Sequence, residues 1–92
     1  MTQIKFASLT PEQTRFIRTY SPENRYFTSE DEINTIANRL GLASLSKEEL
    51  QAVRNSVVKD YNDFCGDDKD ARWYRYEAMM SITAVIDRYI YS

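Results

Sequence analysis

Arg72-Trp73-Tyr74-Arg75-Tyr76 brings together the residue types that dominate binding hot spots, because Trp, Tyr and Arg bury large areas at modest entropic cost and keep a polar handle. Arg15, Arg18, Arg25, Tyr26 and Phe27 form a second group of arginines and aromatics in the N-terminal third. Aromatic faces interleaved with guanidinium groups also suit the bases and phosphates of single-stranded nucleic acid. Arg15, Arg18, Arg25 and Tyr26 are accordingly the candidate contacts for RNA. The plainer alternative puts Tyr76 and part of Trp73 in a core and leaves the arginines as surface groups whose stems cover apolar neighbours.

Catalysis has less to work with. The chain has one cysteine, Cys65, and no histidine. No imidazole can ionise that thiol or complete a Ser-His or Cys-His relay, and the usual Cys/His zinc sites lack ligands. A lone cysteine also forms no intrachain disulfide, which fits a reducing, cytoplasmic setting. Most carboxylates are accounted for by helix starts: Glu30, Asp31, Glu32, Glu48, Glu49 and Asp70 all fall where a helix dipole favours negative charge. The expectation is a protein without catalytic residues, metal or cofactor.

Three motif readings fail on spacing or charge. The acidic run from Asp60 to Asp70 suggests calcium, yet placing Gly66 at the sixth position of an EF-hand loop puts Tyr61 at the first and Arg72 at the last. Gly41 and Gly66 lie too far apart for a dinucleotide or phosphate loop. Ile36-Ala37-Asn38-Arg39-Leu40-Gly41-Leu42 resembles the first helix and turn of a helix-turn-helix DNA reader. The next helix, however, opens Ser46-Lys47-Glu48-Glu49 and would bring carboxylates toward phosphates.

The elements that must position the Arg/aromatic segment are helices. Thr10-Pro11-Glu12-Gln13 has a capping hydroxyl, a first-turn proline and the amide that returns the cap, so a helix runs from about Pro11 to Tyr20 and stops at Ser21-Pro22. Its buried side is Gln13, Phe16, Ile17 and Tyr20. Ser29 opens a second helix with Ile33, Ile36, Ala37 and Leu40 on one face, and Gly41 closes it with Leu42 as the hydrophobic follower. Ser46 opens a third, on which Leu50, Val53, Val57, Tyr61 and Phe64 share a face and which Gly66 ends. Residues 3–6 and 25–28 have strand-like composition and could pair as a short N-terminal β-ribbon.

The last helix, from about Ala71 to Tyr91, is apolar on two sides. Stepping about 100° per residue, Ala78, Ile82, Val85, Ile86 and Tyr89 gather on one side while Trp73, Met80, Ala84 and Tyr91 fall roughly opposite. Such a helix needs a cover on both sides. The expected architecture is an all-α, four-helix single domain over residues 1–92, with the C-terminal helix central. Helices three and four should be antiparallel neighbours in which Val57, Tyr61 and Phe64 meet Ile82, Val85 and Ile86.

Composition sets the outer bounds. A chain of 92 residues with 42% apolar and 28% charged residues, only 2 Gly and 2 Pro, and a net charge of −2 reads as one globular domain and not as a general polyanion binder. No stretch approaches the length of a membrane span and no basic-then-apolar leader opens the chain, so a soluble, unprocessed protein is expected.

The compact size, the scarcity of motifs and the interleaved arginines and aromatics of RWYRY resemble, in general character, the small phage-encoded anti-defence inhibitors, anti-CRISPR proteins among them. That resemblance implies a stoichiometric inhibitor of a CRISPR effector complex that touches its protein subunits or guide RNA. The residues themselves point to a non-catalytic binding protein that docks on a larger protein or ribonucleoprotein. Trp73, Met80 and Tyr91 would be its anchors, Tyr76 would lie beside them, and Arg72, Arg75 and Arg88 would form the rim. A nucleic-acid or nucleotide binder and a self-associating homo-oligomeric subunit stand as the alternatives.

Overall fold

A computed structural model describes residues 9–23, 27–64 and 69–91, apart from the Phe64 side chain. Among the described residues there are four α-helices, one 3₁₀ turn and no strand: α1 (Pro11–Thr19), α2 (Glu30–Leu40), the turn Leu42–Ser44, α3 (Lys47–Phe64) and α4 (Lys69–Ile90). The all-α architecture is the expected one. Residues 3–6, 25 and 26 of the ribbon, Cys65 and Gly66 lie outside the described residues; Phe27 and Thr28, at the end of that ribbon, are in no strand.

Local chemistry fixes the helix starts. At α1 the Thr10 hydroxyl accepts from the Gln13 N–H at 3.1 Å and the Gln13 carboxamide oxygen accepts from the Thr10 N–H at 3.0 Å, so two orphan donors satisfy each other through side chains. The same reciprocal pair forms at α3, where Ser46 Oγ accepts from Glu49 N at 3.2 Å and Glu49 Oε1 accepts from Ser46 N at 3.1 Å. Glu49 therefore turns back onto its own helix end. At α2 the Ser29 hydroxyl accepts from the Glu32 N–H at 3.2 Å. Gly41 ends α2 at φ 64°, a left-handed conformation that costs glycine little, and hands the chain to a buried Leu42.

One apolar core joins all four helices. Ile17 enters from α1, Ile36 and Leu40 from α2, Leu50, Val53 and Val57 from α3, and Ile82, Val85, Ile86 and Ile90 from α4. Helix α4 packs on α1, α2 and α3, which makes it the central rod. Burying a Val, Leu or Ile side chain contributes about 1.5–3 kcal/mol, and Ile36, Ile82 and Ile86 are wholly inaccessible. At the α3–α4 contact Val57 and Tyr61 line one small pocket with Ile82, and the Phe64 side chain lies outside the described residues. Tyr61 sets its ring edge against Tyr76, with centroids 6.0 Å apart and planes at 62°. Tyr61 stands near the helix end, level with Tyr76 and about two and a half turns from the level of Val85 and Ile86 along a rod that rises 1.5 Å per residue.

Polar contacts fasten the periphery. Arg18 grips Asp60 of α3 through two hydrogen bonds of 3.1 and 2.7 Å, Arg54 of α3 meets Asp87 of α4 at 2.8 Å, and the Gln13 amide donates to the Leu40 carbonyl at 3.5 Å. Glu32 is buried. Its carboxylate accepts the Tyr20 hydroxyl hydrogen bond and, more distantly, the Glu23 N–H at 3.4 Å. The first-turn role expected for Glu32 is thus only part of what it does.

Candidate functional site

The two apolar sides of α4 have different fates. Ala78, Ile82, Val85 and Ile86 are buried, whereas Trp73 is 53% exposed, Met80 48% and Tyr91 81%, with Ala84 exposed between them. These four recur at intervals of seven, four and seven residues. That spacing returns to nearly the same angle on a helix, so they form one outward strip about 27 Å long. Tyr74 and Tyr76 are exposed beside its N-terminal end, at 65% and 42%.

The strip is firmest at Trp73. The indole stacks on Tyr76, centroids 6.4 Å apart and planes within 20°, and Tyr76 in turn takes the Tyr61 ring edge. Three rings braced in this way lose little freedom when something packs on them, which is the property that makes an aromatic a good anchor. Tyr61, Trp73 and Tyr76, with Lys69 and Arg72, line an open cleft of about 480 Å³ between the ends of α3 and α4.

The arginines divide. Arg72 and Arg88 are exposed at the edges of the strip. Arg75 is turned inward: its Nη1 donates to the Ile17 carbonyl at 2.9 Å and its Nη2 to the Tyr20 carbonyl at 2.8 Å. It therefore caps the C-terminal end of α1, where carbonyl groups lack helical partners and the dipole is negative. The rim role expected for Arg75 is replaced by this structural one. The wheel carried the signal, since Arg75 lies within about 20° of Ile82 and far from Trp73.

Of the N-terminal arginines, Arg15 and Arg18 are described and lie on one face of α1. Arg18 is engaged by Asp60, whose hydrogen bond and charge raise its pKa further. Arg15 is exposed and shares with Leu9, Pro11, Thr14, Arg18 and Thr19 a cleft of about 510 Å³ along α1. Arg25 and Tyr26 lie outside the described residues.

Among the described residues no three His, Cys, Asp or Glu side chains gather as a metal site would require, and no helix is long and apolar enough to cross a membrane. Tyr20 is the most perturbed titratable group. Burial raises its pKa first, and the adjoining Glu32 carboxylate raises it further. It lies at the α1–α2 junction, away from the strip, and serves the fold. Comparisons with protein-family models, with curated proteins and with solved structures found no match.

Proposed function

We propose that the protein is a non-catalytic binding protein that docks the outer strip of α4 on a larger protein or ribonucleoprotein. The observation that carries this reading is the exposure of Trp73, Met80 and Tyr91 in one line on a helix whose other side buries Ala78, Ile82, Val85 and Ile86. Leaving that much apolar surface in water has a cost that a partner would recover, and single-molecule folds seldom keep such a stripe without a use. Arg72 and Arg88 at its edges would steer approach and add little affinity, while the aromatics would supply most of it.

A second copy of the chain is the alternative occupant, with antiparallel self-pairing setting Trp73 against Tyr91. The likeness in general character to anti-defence inhibitors makes a CRISPR effector complex the first partner to test.

The test is retention of a partner by immobilised wild-type chain and by its Trp73→Ala, Met80→Ala and Arg88→Ala variants. A partner held by wild type and Arg88→Ala but released by the two anchor variants is the expected result. Equal retention by all four folded proteins would reject the strip as the contact.

A further inference from the structure

The cleft beside the strip has a chemistry of its own. Tyr61, Trp73 and Tyr76 supply its aromatic wall, Lys69 and Arg72 supply two cations, and no carboxylate stands among the described residues that line it. It is open to solvent, with a volume of about 480 Å³. Because the Tyr76 ring contacts both the Trp73 indole and the Tyr61 ring, the wall is already formed and needs little ordering on binding.

Lys69 and Arg72 decide the sign of the occupant. A cationic ligand seeking an aromatic cage would meet both of them, whereas an anion would be drawn in. A planar ring can stack on the Trp73 indole, which remains 53% exposed although it is stacked on Tyr76. A phosphate attached to that ring can take paired hydrogen bonds from a guanidinium. We infer that this cleft binds a nucleoside phosphate, with the base against Trp73 and Tyr76 and the phosphate at Arg72 and Lys69. The net charge of −2, and Asp67, Asp68 and Asp70 close to Lys69 in the sequence, oppose a long track of phosphates. The occupant is therefore one nucleotide, either free or at the end of a single strand.

This site goes beyond the protein-docking reading, with which it shares Trp73 and the rim residue Arg72. Trp73 is the only tryptophan, so its emission reports directly on stacking. The whole chain is titrated with AMP, with adenosine, and with a 5′-phosphorylated oligo(dA) decamer, at low salt. Saturable quenching by AMP assigns a free nucleotide, and quenching by the decamer alone assigns a strand end. Adenosine should bind at least about tenfold more weakly than AMP. Arg72→Ala and Tyr76→Ala should each weaken binding by about tenfold, the scale of one lost stacking or charged contact, with Arg72→Glu as a second variant and circular dichroism verifying the fold. Met80→Ala and Tyr91→Ala should bind as wild type does, which separates this site from the docking strip. Absence of quenching by both AMP and the decamer at millimolar concentration, or adenosine binding as tightly as AMP, would overturn the assignment.

Discussion

Arg75 on α4 donates to the carbonyl of Tyr20, the residue that terminates α1, at 2.8 Å. A second donation to the Ile17 carbonyl makes the contact a two-pronged clamp between the central helix and the shortest one. Helix α1 has nine residues, too few to be stable alone in water, and Ile17 is its one buried side chain. The clamp and the Arg18–Asp60 pair therefore add to the Ile17 packing and to the Gln13–Leu40 and Tyr20–Glu32 hydrogen bonds in holding it in place. Arg75→Ala should lower unfolding free energy by about 2 kcal/mol, the scale of charged hydrogen bonds to half-buried acceptors. Arg75→Lys should recover only part of it, because an ammonium cannot bridge both carbonyls in the same geometry. Urea denaturation of the three proteins measures this.

Tyr20 and Glu32 give the fold a pH signature at the alkaline end. The folded-state pKa of Tyr20 lies above its ordinary value of 10.0 because the hydroxyl is buried and donates to the Glu32 carboxylate. A raised folded pKa means that the stabilisation is fully present below about pH 10, where the unfolded tyrosine is still protonated, and is lost as pH climbs through the folded value. The stability difference between wild type and Tyr20→Phe should accordingly stay constant from neutral pH to about pH 9 and shrink above pH 10. Chemical denaturation at stepped pH follows it. One of the seven tyrosines should also ionise later than the rest in an ultraviolet titration.

The two sides of α4 should respond oppositely to truncation. Ile82 is wholly buried, and Ile82→Ala should cost about 2–5 kcal/mol through lost transfer energy and the cavity left behind. Met80→Ser and Tyr91→Ser, on the exposed strip, should stay within about 0.5 kcal/mol of wild type. Thermal denaturation of the three variants checks this, and a large loss for Met80→Ser would mean that the strip is covered by the chain itself.

Much of this was readable from the sequence, and the dividing line is physical. Thr10 with Gln13, Ser29 with Glu32, and Gly41 with Leu42 act within three residues of one another, so their chemistry appears in the order of the letters. The two apolar sides of α4 followed from its periodicity, but whether three short helices wrap both or leave one strip open depends on packing. Arg75, Asp60 and Glu32 were less legible. Their partners are 55, 42 and 12 residues away, and only packing brings them together. At Arg75 the hot-spot composition of RWYRY suggests a rim position, whereas its angle on the wheel lies within about 20° of Ile82. The Tyr61–Trp73–Tyr76 cluster depends on how far α3 and α4 slide past each other, a quantity that periodicity leaves open.

Gly41 offers a local check on the α2 exit. Its φ of 64° is one that a Cβ disfavours, although the space around it is open. Gly41→Ala should therefore cost about 1–2 kcal/mol from backbone strain alone, and Gly41→Asn less, since asparagine tolerates the left-handed region. Urea midpoints for both variants decide it.

The strip on α4 is tested most directly by hydroxyl-radical footprinting of the chain free and bound to the partner it retains. Protection of Trp73, Met80 and Tyr91 on binding, with Arg15 and the α1 face as reactive as before, is the predicted pattern. Unchanged reactivity at those three residues, with protection appearing on another face, would contradict the account.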